Sequence, residues 1–262
     1  MSPRKRAQLS RYVQYALLVA AAVVVALIAD WGTLASQFFD PDILTSYVFP
    51  DVFLVALKNT VIYTAAAFSF GLVVGLILAL MRLSSVAPYR WIATVVIEFF
   101  RGVPALMVFI AFQYGLPLAF GTVMPGGVIG TVAVALGLVG AAYMAETIRA
   151  GIQAVPKGQM EAARTLGMSH SRAMISIVVP QAFRIILPPL TNELILLTKD
   201  SSLVYVLGLA GSQVELTSFG RQGLNQTVSM TPLIAAALSY LIITIPLSIV
   251  VRRMEASAGK AR

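Results

Sequence analysis

The chain has 262 residues, 58% of them hydrophobic and 11% charged, against about 25% charged in a soluble domain. That deficit excludes a water-exposed globular surface and identifies an integral membrane protein. The chain has no cysteine, which excludes a disulfide framework and a thiolate metal site, and its net charge of +8 has to be read by position rather than as a sum.

A membrane-crossing helix takes about 20 mostly apolar residues, and the sequence predicts six of them, at 12–29, 52–81, 97–120, 128–148, 185–208 and 232–251. The first has the basic start and apolar run of a leader peptide. Its length and the lack of a clean small-x-small site after it predict a retained helix. Gly71 and Gly75 form a GxxxG pair in the second span. Gly126 and Gly130 form another at the start of the fourth, followed by Gly137 and Gly140. Small residues let helices approach closely in lipid, so ordinary packing within the chain is expected. Pro104 in the third span and Pro188-Pro189 in the fifth predict kinks or helix starts.

The basic residues sort by side. Arg4, Lys5, Arg6 and Arg11 precede the first span; Arg82, Arg90 and Arg101 follow the second. Arg149, Lys157, Arg164, Arg172 and Arg184 follow the fourth; Arg252, Arg253, Lys260 and Arg262 follow the sixth. The positive-inside rule places that side in the cytoplasm, with both termini. The opposite loop, 30–51, holds Asp30, Asp40, Asp42 and Asp51 and no basic residue.

The long polar interval 149–184 then lies in the cytoplasm. Good helix formers at 159–166 end at Gly167, which suits a left-handed stop. A second short helix is expected over 169–178, capped by Ser169 or Ser171 and ended before Pro180. On these grounds alone the interval could be an amphipathic hairpin on the bilayer surface. His170, the single histidine, reads as a solvated helix residue.

Ionisable groups within apolar runs are costly and serve function or are paired. Glu193, Lys199 and Asp200 fall inside the fifth span. Glu193 and Asp200, seven apart, share a helix face; Lys199 lies beside it and could neutralise one of them. A pathway lining and a structural ion pair are both open readings. Glu98 with Arg101, and Glu146 with Arg149, are i,i+3 pairs near the cytoplasmic boundary, read as local pairing and anchoring. One histidine, no cysteine and no clustered carboxylates exclude an intramembrane enzyme. A phosphate-binding G-x-x-x-x-G-K-[ST] loop is absent, since Gly151 to Lys157 lacks the second glycine.

Glu161-Ala162-Ala163, three residues, Gly167, nine residues and Ile177-Val178-Val179-Pro180 resemble the EAA loop of bacterial ABC-importer permeases, with Val179 where leucine is usual. Three further runs resemble the polar amino-acid (His/Glu/Gln/Arg/opine) branch of that family. They are Glu98-Phe99-Phe100-Arg101-Gly102-Val103-Pro104, Ala145-Glu146-Thr147-Ile148-Arg149-Ala150-Gly151-Ile152 before Pro156-Lys157-Gly158-Gln159, and Leu187-Pro188-Pro189-Leu190-Thr191-Asn192-Glu193 before Lys199-Asp200-Ser201-Ser202-Leu203. The likeness covers about 58–253.

The resemblance implies an all-α integral membrane protein of the type I ABC-importer permease fold, a five-helix core plus one extra N-terminal helix. The division would be 1–51 (tail, extra helix and acidic outer loop), 52–253 (core) and 254–262 (tail). The resemblance further implies that Glu161, Ala162, Ala163, Gly167, Ile177 and Pro180 couple the chain to a separate ATPase present in two copies. Glu193, Lys199, Asp200 and Ser201 would line the pathway, with groups suited to a zwitterionic amino acid. Other implied partners are a second permease protomer, identical or homologous, an extracytoplasmic binding protein and membrane lipid, but no nucleic acid. This chain would hold no cofactor or metal, ATP and Mg being on the ATPase. The setting would be the bacterial cytoplasmic membrane and the mechanism alternating access. The rival class is a secondary transporter or channel. It would leave the EAA spacing unexplained and would usually show an inverted repeat, of which none is convincing.

Overall fold

A computed structural model describes residues 3–260. The side chains of Arg4, Lys5 and Lys260, and all of Arg262, lie outside what is described, so their part of the charge count has no structural counterpart. Helix α1, Pro3–Ile28, carries an apolar run at Ser10–Ile28 none of which is buried. The acidic outer loop is folded. Asp30 caps α2 (Trp31–Phe38), accepting from the Thr33 N–H at 3.0 Å and its hydroxyl at 2.7 Å; these bonds hold the Asp30 carboxyl below its ordinary range. Asp40 caps the one-turn α3 (Pro41–Ile43) through the Asp42 and Ile43 N–H groups. Acidic residues thus stand where helix starts leave unbonded N–H groups. The Gln37 carbonyl accepts from the Met230 N–H at 2.8 Å and the Ser229 hydroxyl at 2.9 Å, fastening the loop to the start of the last helix.

The core is a pair of long helices, α4 (Asp51–Leu83) and α8 (Gly127–Gln153). Between them in sequence, the third span is broken. Helix α5 (Ala87–Gly102) meets the segment Ala105–Phe120 at 104°, and that segment holds α6 (Ala105–Ile110), a π-turn and α7 (Leu116–Phe120). The kink expected at Pro104 is present, but the span does not start at 97. The helix begins ten residues earlier, and Val103, held extended (φ −92°, ψ 134°) ahead of Pro104, ends it.

The α4–α8 contact is made backbone to backbone. A Cβ on Gly71 would lie 2.9 Å from the Gly137 carbonyl, and one on Gly75 2.9 Å from the Ala141 carbonyl. Ala67, Ala79, Ala135, Ala141 and Ala145 have no exposed surface. The spacing thus serves packing within the chain, as expected, and around it stand α5, α6 and the later helix α11.

After α8 come α9 (Lys157–Thr165), α10 (His170–Ala173), a π-turn at Met174–Val178 and α11 (Val179–Asp200), which tightens into a 3-10 turn at Ser201–Leu207. The expected stop before Pro180 does not occur. The π-turn hands over directly to α11, and Pro180 sits in the first turn of α11. Pro188 and Pro189 lie inside α11 and do not start it. His170–Leu207 therefore forms one 38-residue helical run.

A further helix that the sequence did not suggest, α12 (Leu216–Thr227), precedes α13 (Thr231–Lys260). At 12 residues α12 is too short to cross a bilayer. Its cap is Glu215, fully buried. The Glu215 carboxylate accepts from the Thr217 N–H at 2.6 Å, the Ser218 N–H at 2.7 Å, the Ser218 hydroxyl at 2.6 Å and the Tyr240 hydroxyl at 3.1 Å. Burial pushes its pKa up, while the Ser218 and Thr217 bonds pull it back. Asn59 and Tyr63 of α4 donate to the carbonyls of Ser212, Val214 and Gln213, tying this end to the core.

Replacing Gly75 with valine should lower the thermal midpoint in detergent, at about 1–3 kcal/mol of overpacking. Gly158→Ala, with nothing within 4 Å of the new Cβ, should leave it unchanged or raise it. Equal midpoints for Gly75→Val and the parent would show that the helices do not depend on this contact.

Candidate functional site: the loop elbow and the charged helix

Helix α9 ends in a left-handed glycine turn. Gly167 has φ +82°; its N–H donates to the Arg164 carbonyl at 3.0 Å and the Met168 N–H to the Ala163 carbonyl at 3.1 Å. These two bonds form a Schellman motif, satisfying carbonyls that a helix end leaves open. The Arg164 guanidinium closes the turn on the Met168 carbonyl at 2.8 Å. Ser169 then caps α10 through the Arg172 N–H. The elbow is thus locally determined, with the corner at the predicted glycine.

The elbow presents two faces. Glu161, Ala162 and Gly167 are exposed, while Ala163 is turned into the chain's own interior at 2% exposure. Ala163 therefore holds the elbow to its scaffold and is not available to a partner. Leu166, 84% exposed at the tip, is the feature that spacing alone did not single out; the signal was an apolar residue one position before the glycine. Ile177 is half-buried in the π-turn, its carbonyl accepting from Gln181 at 3.0 Å, and Pro180 is exposed.

The same helical run carries the charged residues. Glu193 and Asp200 are half-buried, and among the described residues neither has a hydrogen bond or an ion pair within 4 Å. Lys199 is exposed and among the described residues forms no ion pair within 4 Å of either, yet its charge still acts on Asp200, the neighbour it was expected to offset. Ser201 is fully buried and its hydroxyl donates back to the Thr198 carbonyl at 2.7 Å.

The boundary pairs are joined in one network. Arg149 clasps Glu146 through Nη2 at 2.7 Å and Nε at 3.1 Å, and Arg101 approaches Glu98 at 3.9 Å. Arg82, at the end of α4, bridges both pairs. Its Nη1 is 2.7 Å from Glu146 and 3.6 Å from Glu98, contacts that are ionic and outside hydrogen-bond geometry. Sequence spacing found the two local pairs and missed Arg82, which is distant along the chain.

A family model described as "Binding-protein-dependent transport system inner membrane component" matches residues 71–260. The chain is 39% identical over 203 residues to the probable glutamine ABC transporter permease protein GlnM of Bacillus subtilis, covering 78% of this chain and 91% of that one. It is 38% identical over 210 residues to the glutamate/aspartate import permease protein GltK of Escherichia coli O157:H7, covering 78% and 91%. A crystal structure of an amino acid ABC transporter with histidines superposes with a TM-score of 0.73 at 37% identity, covering 82% of this chain and 97% of that chain.

A double-mutant cycle tests the network. Arg82→Met and Glu146→Gln should each destabilise the chain and couple by about 1 kcal/mol or more, as contacting charges do. Additive effects would show that the 2.7 Å approach contributes nothing.

Proposed function

Because the chain belongs to the family of binding-protein-dependent transport system inner membrane components, and is the permease subunit of an amino-acid ABC importer, we propose that it takes its energy through the elbow at Gly167. It is a multi-pass inner-membrane protein. In this reading both termini and the elbow face the cytoplasm, as the charge bias supports. Glu161, Ala162 and Leu166 meet a groove of a separate ATPase that carries ATP and Mg. Two ATPase copies act on two permease protomers, identical or homologous, and an extracytoplasmic binding protein delivers a polar amino acid. ATP binding draws the two elbows together and opens the pathway outward; hydrolysis resets it.

The observation that carries this reading is Leu166 at 84% exposure, held out at the tip of a closed Schellman turn. A leucine held at the tip of a closed turn offers a partner an apolar contact without further ordering of the loop. Because the turn continues into His170–Leu207, a displacement of the elbow reaches Glu193 and Asp200 along one rod. Those two half-buried carboxylates, with no ion pair within 4 Å among the described residues, suit the ammonium group of a passing amino acid.

The test is reconstitution with the ATPase. Glu161→Lys with Gly167→Trp reverses the elbow's charge and places a bulky residue in a positive-φ position that has nothing within 4 Å. The variant should fold, lose the ATPase on co-purification and lose at least about tenfold in uptake, equivalent to about 1.4 kcal/mol. Asp200→Asn should keep the ATPase yet change uptake kinetics. A folded elbow variant that still holds the ATPase and transports would overturn the coupling, and unchanged kinetics for Asp200→Asn would remove that residue from the pathway.

A further inference from the structure

A cavity of about 400 Å³ opens where α4, α5 and α8 converge, lined by Arg82, Arg90, Trp91, Thr94, Arg149 and Gln153. Three guanidiniums meet there. Two of them are engaged: Arg82 and Arg149 share Glu146, and Arg149 also donates to Gln153 at 2.7 Å. Arg90 differs. Its Nη1 donates to the carbonyls of Ser84 and Ser85 at 2.9 and 2.7 Å, and among the described residues no carboxylate comes within 4 Å of it. The Nε and Nη2 edge of Arg90 therefore has no partner among the described residues. That edge is the planar fork that engages two phosphate oxygens at once. Counting Arg101 and Glu98 with Glu146, the cluster holds four arginines and two glutamates, an excess of two positive charges.

The rim of the cavity is apolar on one side. Trp91, Val95 and Phe99 follow one another at four-residue spacing on α5, so they form one stripe, and they are 72%, 64% and 56% exposed. A fixed basic fork beside an exposed aromatic and aliphatic stripe matches a molecule with an anionic head and hydrocarbon tails. Basic pockets between membrane helices take anionic headgroups in this way, and tryptophan favours the headgroup level.

We propose that this cavity binds the phosphodiester headgroup of an anionic phospholipid, with Arg90 as the headgroup ligand and the Trp91–Val95–Phe99 stripe against its acyl chains. Because the lipid would join α5 to the ends of α4 and α8, it would brace the broken third span at the Arg82 network. The site is independent of the ATPase coupling. Lipid retention can be measured on the permease chain alone, so failure of one proposal leaves the other standing.

The experiment is native mass spectrometry of the full-length chain, equilibrated in detergent with equal phosphatidylglycerol and phosphatidylcholine. The parent should retain phosphatidylglycerol preferentially. Arg90→Gln should weaken retention about fivefold, the effect of one basic group near a lipid surface. Arg90→Lys should recover part of it, keeping the charge without the fork. Trp91→Ala, which leaves the Ser84 and Ser85 carbonyls braced, should also weaken it. Equal retention of the two lipids would overturn the proposal, as would unchanged retention in both Arg90→Gln and Trp91→Ala. So would displacement of the lipid by millimolar inorganic phosphate, which would mark a site for the free anion.

Discussion

The structure depends on the backbone contact between α4 and α8. In lipid, apolar side chains gain little by leaving one hydrocarbon environment for another, so helices hold together through close packing. Gly71 and Gly75 bring the α4 backbone against the carbonyls of Gly137 and Ala141, a separation that a single Cβ on either glycine would not permit. Helices α5, α6, α11 and α12 pack directly against this pair. Arg82, at the end of α4, reaches Glu146 of α8 because the two axes are so near. Asn59 and Tyr63, at the other end of α4, hold the segment that leads into α12. One seam of small residues therefore fixes both ends of the core.

Against that seam, α11 is the element suited to moving force. It packs on α8 and α13 and is continuous with the π-turn and α10, so the helix that leaves the elbow and the charged residues belong to one run. The two prolines within α11 invite the idea of a hinge, yet the run passes through them without a break. The π-turn at Met174–Val178 is carried within the same run, next to the elbow and outside the charged region. The broken third span is the compliant point, where α5 turns away from α6 at Pro104.

Much of this was legible in the sequence where a local rule decides the outcome. The seam glycines declare themselves by spacing. Gly167 announces its left-handed turn, and Ser169 the cap of the helix that follows it. Other features escaped because their causes are not local. Pro180 looks like a helix stop, but a π-turn just before it hands over directly to α11, with the proline in the first turn of α11. The segment Leu216–Thr227 is polar and short, and reads as a loop until Thr60, Tyr240 and the buried Glu215 are seen to hold it. Pro104 signalled a kink but not its angle of 104°. Ser201 and Ala163 lie on motifs, and only the fold reveals that both face inward.

The central claim, that a displacement at the elbow travels along a rigid rod to the charged face, can be measured directly because the chain has no cysteine of its own. Spin labels at Ser171→Cys and Leu196→Cys, both exposed positions, would be about 38 Å apart along a helix rising 1.5 Å per residue. Their distance distribution, recorded by pulsed electron resonance in the reconstituted complex, should be the same without nucleotide and with ATP trapped. A shift of several ångströms between the two states would place a hinge inside the run and contradict the account.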